Sequence, residues 1–235
     1  MQYGFVNPFY KYARKLIVKS NKILSPENFY NKMAPFYDRH IKETRFSILS
    51  PTEEKSFLES LLSDYRTILD LGCGTGRTMK LLESKNRILI GVDISSEMVK
   101  LAKSAGLRVV KASCYNIPFS NSYFDAVYSI HMGFGFCRSK SEMEMLSREL
   151  FRILRKKGII LLDTPHAKAK GKEYVTSWTA GDELINAMSY GKNKEDILEV
   201  LMDCRFVDIS FYGYYKADCP LEEQSRRIIV VAKKP

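Results

Sequence analysis

Three glycines spaced two apart, Gly72, Gly74 and Gly76, lie in the stretch Asp70-Leu71-Gly72-Cys73-Gly74-Thr75-Gly76, between an apolar run and an amphipathic one. Glycine accepts the tight turn that such a strand-to-helix junction needs, and it lets backbone approach a ligand closely. A second apolar run, Arg87–Asp93, ends in a carboxylate 17 residues after Gly76. A carboxylate at that place can accept hydrogen bonds from ribose hydroxyls. Strand, glycine loop, helix, strand and terminal acid, in that order, point to a ligand containing adenosine. The spacing G-x-G-x-G departs from the G-x-G-x-x-G of the dinucleotide fingerprint, and no G-K-[ST] closes a Walker loop. A nicotinamide oxidoreductase is therefore a poor match.

Other side chains that could do chemistry are scattered. The histidines, His40, His131 and His166, fall in unlike elements, so no metal site is expected. His131 lies just past the predicted fourth strand and is the candidate general base, with a packed or solvent-facing loop residue as the alternative. His166, past the fifth strand, is a weaker candidate, and His40 is expected on the surface. Cys137 is a candidate nucleophile without a supporting motif, and a reduced structural thiol is the alternative. The five cysteines (Cys73, Cys114, Cys137, Cys204 and Cys219) include no C-x-x-C pair. Their odd number and irregular spacing argue against zinc and dithiol chemistry and for reduced thiols in a cytoplasm.

The elements that must position these residues alternate. Thr67–Leu71, Arg87–Asp93, Leu107–Lys111, Phe124–Ser129 and Ile159–Asp163 read as buried strands. Helical spacing falls between them, over Thr75–Ser84, from Ser95 to about Ala105, and after Ser139, where Glu142 completes a capping box and Gly158 ends the helix. Asn193 can cap another helix. Phe206–Tyr212 and Arg227–Val231 read as two late strands, antiparallel at the sheet edge. Strand–helix alternation predicts an α/β fold, a Rossmann-like sheet of seven mostly parallel strands with helices on both faces. Two regions stand outside it. In residues 1–50, Phe5, Phe9, Tyr12, Ala13, Leu16 and Ile17 predict one helix and Phe29, Tyr30, Met33 and Tyr37 a second, together an N-terminal helical cap. Residues 165–193 predict a lid insertion into the 51–235 domain, with Glu173–Trp178 and Glu183–Ser189 paired as a hairpin over Ala180-Gly181-Asp182.

Composition bounds the partners. The chain has 235 residues, 45% hydrophobic and 27% charged, which excludes a mainly disordered chain and a disulfide miniprotein. No apolar run approaches a membrane span, and no signal peptide is expected. The net charge of +10 is concentrated: residues 1–50 carry nine Lys/Arg against three Asp/Glu, and residues 152–172 seven against one. Such faces attract RNA, anionic lipid or acidic metabolites, or are simply solvated. The basic aromatic N-terminus (Tyr10, Lys11, Tyr12, Arg14, Lys15, Lys19) fits a membrane surface, RNA phosphates or a packed lid.

The motifs resemble those of class I S-adenosylmethionine-dependent methyltransferases. Ile68–Gly76 looks like their first motif and Gly91-Val92-Asp93-Ile94-Ser95 like their second. Ile117-Pro118-Phe119, followed by Ser122-Tyr123-Phe124-Asp125, resembles their "LPF…SFD" segment, and Leu150–Leu162 their helix, basic turn and fifth strand. The likeness covers roughly residues 28–233. Phe29–Asp38 is similar to the opening of the quinone-biosynthesis type of small-molecule methyltransferases, the "methyltransferase type 11" group. The resemblance implies S-adenosyl-L-methionine as cofactor, with Gly72, Gly74 and Gly76 under its methionine and ribose. It puts Asp70 at the ammonium, Asp93 at the ribose diol, Ile94 on the adenine and Tyr37 on the methionine side. Ser113 and Cys114 would border the adenine, and Ser129, at the end of the fourth strand, would also border the cofactor. The family often has an acid where Ser113 stands; a serine oxygen can still accept from the adenine amino group, without charge.

The implied activity is transfer of a methyl group (EC 2.1.1.-) to a small or lipid-like acceptor by direct displacement. Alignment in a dry site suffices for that chemistry, and a base is needed only if the nucleophile must lose a proton. The alternatives are an RNA (tRNA or rRNA) methyltransferase that uses the basic faces, and a non-catalytic cofactor-binding relative. Ser129-Ile130-His131-Met132 lacks the Asn/Asp/Ser-Pro-Pro-aromatic signature of enzymes that methylate exocyclic base amines, which argues against that subclass.

Overall fold

The computed structural model describes residues 22–44, 50–131, 133–216 and 219–235. The expected helix over residues 5–17, the basic aromatic N-terminus and Met132 lie outside these residues.

Among the described residues, the central sheet has seven strands: β2 (Thr67–Leu71), β3 (Ile88–Asp93), β4 (Val109–Lys111), β5 (Phe124–Ser129), β6 (Leu154–Pro165), β9 (Val207–Tyr212) and β10 (Arg227–Lys233). Their order is β4-β3-β2-β5-β6-β10-β9. The first five run parallel, and β10 is antiparallel to both β6 and β9. From β2 the chain steps outward through β3 to β4, then returns to the other side of β2 as β5. The crevice of such a doubly wound sheet opens where the order reverses, at the carboxyl ends of β2 and β5.

Both faces of the sheet are covered, and the period-2 alternation assigns each side chain its layer. Leu69, Val127, Ile160 and Leu162 face α6 (Lys140–Ile153) and α8 (Lys194–Asp203), through Leu146, Leu150, Ile197 and Leu201. Their neighbours Ile68, Ala126, Tyr128 and Leu161 face α3 (Pro51–Leu62), through Phe57, Leu58 and Leu62. Ser50 and Glu53 form a reciprocal capping box at the start of α3, and Pro51 occupies its first turn. The helices α4 (Arg77–Leu82) and α5 (Ser96–Ser104) close the β2–β4 end through Met79, Val99 and Ala102.

The cap is built from two sequence-distant pieces. The first comprises β1 (Ile23–Leu24), α1 (Pro26–Met33), a 3-10 turn and α2 (Tyr37–Thr44). The second, after the one-turn α7 (Ala167–Lys170), is the antiparallel hairpin β7 (Glu173–Ala180) and β8 (Glu183–Tyr190), turning at Gly181. β1 adds to β8 in parallel. Phe29 and Met33 of α1 pack with Ile185 and Ala187 of β8 and Met98 of α5.

Several expected local features differ. The helix after the glycine loop starts at Arg77 rather than Thr75, because Gly76 sits at its cap in a left-handed conformation (φ 79°). The third strand begins at Val109; Leu107 packs under Gly76 instead. Ser139 caps α6, but Glu142 reaches back to the amide of Arg138 rather than of Ser139, so the box is displaced. Gly158 does not end α6. That helix stops at Ile153, and β6 begins at once and runs through Gly158, where a Cβ would stand 2.8 Å from the Asp125 carbonyl. Asn193 occupies the cap position of α8 without a side-chain cap bond.

The left-handed glycines permit a graded test. At Gly72 (φ 75°) a Cβ would meet nothing within 4 Å, whereas at Gly76 it would stand 2.0 Å from Leu107 Cδ1. Gly72→Ala should cost only the backbone strain, about 1–2 kcal/mol, and Gly76→Ala clearly more. Urea unfolding of both variants measures the difference.

Candidate functional site

The glycine loop leaves β2 at the switch point, and Gly72, Gly74 and Gly76 all have positive φ. Asp93, at the end of β3, braces the loop: one carboxylate oxygen accepts from the Gly74 amide at 2.9 Å and the other from the Ser95 amide at 2.8 Å. A carboxylate has about four acceptor sites, so capacity remains for a further donor. Burial raises the Asp93 pKa, and the Ser95, Gly74 and Ile94 amides oppose the rise. Ile94 beside it is 38% exposed, an apolar side chain left open next to the loop. Asp70, buried at the end of β2, accepts from the Tyr128 hydroxyl at 2.8 Å. Burial pushes its pKa up to about 7, with Tyr128 opposing and Asp93 adding to the rise.

The cap closes over this loop. Tyr37 comes within 3.8 Å of where a Gly74 Cβ would stand, and the Thr75 hydroxyl donates to Asp38 at 2.6 Å. The Asn31 side-chain oxygen accepts from the hydroxyls of Ser95 and Ser96 and from the Glu97 amide, so α1 supplies acceptors to the first turn of α5. Trp178 of the hairpin packs against Phe29, Tyr30, Tyr37 and His40. His40 is thus half-buried and stacked at 4.3 Å between centroids, not on the surface as expected.

Beside the loop, past the ends of β5 and β6, lies a cavity of about 320 Å³. Its floor is an ionic network. Glu54 of α3 holds Arg77 through two bonds, at 2.7 and 2.8 Å. Asp163, fully buried in β6, accepts from Arg227, from the Tyr215 hydroxyl and from the His131 amide. Arg227 also donates to the His131 carbonyl at 2.5 Å. His131 bridges the two carboxylates: Nε2 is 3.4 Å from Glu54, and Nδ1 is 3.1 Å from the Tyr215 oxygen and 3.5 Å from Asp163. Burial would raise both carboxylates. His131 and Arg77 outweigh it at Glu54, taking its pKa down to about 2; Arg227 and His131 hold Asp163 far below the usual range. The cavity walls are Tyr174, Tyr214, Tyr215, Ile41 and Ile229, with Lys170 and Arg226.

The structure therefore gathers Tyr37, Asp70, the three glycines, Asp93 and Ile94 at one sheet edge. Ser129 is buried at the end of β5 on the same edge. Ser113, past β4, accepts from the Tyr115 amide at 3.2 Å and keeps a lone pair and its proton. Burial pushes the Cys114 thiol up to about 12 and the Cys137 thiol up to about 11, which leaves neither a thiolate nucleophile at neutral pH. His166 is buried, with Nδ1 2.7 Å from the Ser225 carbonyl, and is a connector between β6 and the chain before β10. His131 borders the cavity as expected, with Nε2 near Glu54 and Arg77 and Nδ1 near Tyr215 and Asp163. Sequence reasoning missed Glu54, Arg77, Asp163, Tyr215 and Arg227. Of these only Asp163 carried a signal, as the polar end of an apolar strand.

The described residues fit the adenosine-containing ligand that the motifs imply. Space is open above Gly72, Asp93 has acceptor capacity left, Ile94 offers an apolar face and Asp70 is a buried acid suited to a cation. Among the described residues no metal-binding cluster is found, and no helix is long and apolar enough to cross a membrane.

Residues 69–162 match the Methyltransferase domain family. An uncharacterized protein of Methanocaldococcus jannaschii is 32% identical over 57% of this chain and 49% of its own length. The tRNA (carboxymethyluridine(34)-5-O)-methyltransferase of Arabidopsis thaliana is 30% identical over 64% of this chain and 35% of its own length. The malonyl-[acyl-carrier protein] O-methyltransferase of Legionella pneumophila is 30% identical over 76% and 62%. The chain thus spans half or less of the first two relatives. In fold it is similar to an S-adenosylmethionine-dependent methyltransferase from Clostridium acetobutylicum, with a TM-score of 0.70 and 18% identity over 87% of this chain and 98% of that one. The motif loop, the sheet order and these likenesses agree: residues 69–162 are a methyltransferase domain, in a chain with the fold of S-adenosylmethionine-dependent methyltransferases.

Proposed function

We propose that this protein transfers the methyl group of S-adenosylmethionine to a small organic acceptor seated in the cavity beside the glycine loop. The observation that carries the reading is the adjacency of the two spaces: Arg77 follows Gly76 in sequence and also lines the cavity. Asp93 would hold the ribose diol, Asp70 the ammonium, Ile94 the adenine face and Tyr37 the methionine side. The cofactor, when bound, supplies a methyl already activated by sulfonium, so the protein's part is to orient the acceptor and exclude water. Trp178, Tyr37 and the hairpin cover the loop for that purpose. Five unbridged thiols fit a cytoplasmic setting.

A second reading, an RNA acceptor, is favoured by the identity to the Arabidopsis tRNA enzyme and by the charge of +10. It predicts binding of tRNA that weakens steeply with salt. Retention of the cofactor with no transfer to small acceptors or tRNA would point instead to a non-catalytic relative.

Two measurements test the cofactor site. In calorimetry, S-adenosylhomocysteine should bind and NAD should not, and Asp93→Ala should weaken binding roughly 10- to 100-fold, the value of a hydrogen bond to a charged group. Equal affinity in the variant, with its fold intact by circular dichroism, overturns the assignment of Asp93.

Asp70 adds a pH dependence. An ammonium ligand needs the ionised carboxylate, and burial holds that group protonated below about pH 7, among Tyr128, Asp93, Arg77 and Glu54. Binding at lower pH must expel the proton. Affinity for S-adenosylhomocysteine should therefore rise with pH up to about 7 and level off above it, by at most about tenfold per unit. Asp70→Asn should flatten that part of the profile.

A further inference from the structure

We infer that the acceptor is an organic acid whose ionised carboxylate is itself the nucleophile, drawn into the cavity by Lys170 and Arg226; the inference rests on the methyl-transfer reading above.

The cavity carries two kinds of cation. Arg77 and Arg227 are already matched, by Glu54 and Asp163 respectively. Lys170, at the end of α7, and Arg226, just before β10, also line the cavity, yet among the described residues neither has a carboxylate partner. The two segments are tied together near this rim, where the His166 amide donates to the Arg226 carbonyl and the Lys170 amide to the His166 carbonyl. Neighbouring Lys168, by contrast, is paired with Glu223. The cavity therefore offers two unmatched positive groups above a floor whose charges are internally balanced. An anion complements that arrangement; a neutral or cationic acceptor leaves it unmet.

The floor bears on the nucleophile as well. A protonated hydroxyl or ammonium acceptor has a proton to lose, and the groups that could take it are engaged. Glu54 is bound by Arg77 and His131, Asp163 by Arg227, Tyr215 and the His131 amide, and His131 by both carboxylates and Tyr215. A carboxylate needs no base. Its oxygen attacks the methyl carbon, the new O–CH₃ bond forms as the C–S bond breaks, and the bonding pair goes to sulfur. The sulfonium becomes a neutral thioether, the carboxylate a neutral methyl ester, and no proton moves. Loss of the acceptor's charge also weakens its hold on Lys170 and Arg226, which favours release of the ester. Tyrosine and isoleucine walls suit an acid with an aromatic or aliphatic body.

The test uses the full chain. Protein saturated with S-adenosylhomocysteine is titrated with phenylacetate and adipate, each against its amide, and the titrations are repeated with the K170A/R226A double variant. Both substitutions are at exposed rim positions, and thermal melting checks the fold. The acids should bind and the amides should not, and the variant should lose roughly tenfold or more in acid affinity while holding S-adenosylhomocysteine unchanged. In parallel, label from methyl-tritiated S-adenosylmethionine is followed into the same acids, the amine phenethylamine and total tRNA. Methyl esters release volatile methanol in alkali, whereas methylamines and methyl ethers do not. Alkali-volatile label on the acids supports the proposal, and the same label on tRNA supports it with the carboxylate carried by RNA. Alkali-stable label on any acceptor, equal binding of acids and amides, no binding of either acid, or unchanged acid affinity in the double variant overturns it. Failure to bind S-adenosylhomocysteine instead overturns the methyl-transfer reading beneath it.

Discussion

A carboxylate with no exposed surface cannot stay ionised without partners, and Asp163 is such a group. Its partners come from three other parts of the chain: Arg227 from β10, Tyr215 from the loop after β9, and the His131 amide from the end of β5. Satisfying this one acid draws those segments to the carboxyl end of β6. The left-handed backbone of His131 (φ 88°) is part of the solution, since it allows the amide to meet Asp163 while the ring turns toward Glu54. Gly133 belongs to the same constraint: a Cβ there would stand 2.9 Å from the Asp163 carbonyl oxygen. The cavity is what remains above these satisfied charges.

The glycine loop is held by a second, separate set of bonds. From below, Asp93 accepts two amides; from above, Thr75 donates to Asp38, and Asn31 gathers donors at the start of α5. The cap is therefore fastened at the helix N-terminus next to the loop rather than resting on apolar contact alone. Lys111, at the end of β4, adds an exposed ion pair to Glu27 of α1, which contributes little by itself but keeps to the same seam.

The parts of this site that could be read from sequence are those whose requirement is local. Gly72, Gly74 and Gly76 are legible because the backbone needs positive φ at each, and Asp93 because it ends an apolar run at a fixed distance from them. The hairpin over Gly181 is legible for the same reason, through its turn and the alternation of Ile185, Ala187 and Ser189. The ionic floor is not local. Glu54 on α3, Arg77 on α4 and Asp163 on β6 meet only because the sheet closes, and no spacing along the chain announces that. His131 shows the consequence. By position it resembles a base, and only the folded chain sets its ring among Glu54, Arg77, Asp163 and Tyr215. Gly158 errs the other way, since it has the look of a helix stop but serves close packing within β6.

The chain's single tryptophan is Trp178. It lies in the hairpin, with the rings of Tyr30, Tyr37 and His40 around it and the loop-facing side of Tyr37 next to Gly74. The indole is thus placed where the cap and the glycine loop meet, and nowhere else does the protein carry one. Its fluorescence is a native optical probe of that junction, free of background from any other indole, so the seating and release of ligands under the cap are open to observation in the unlabelled protein.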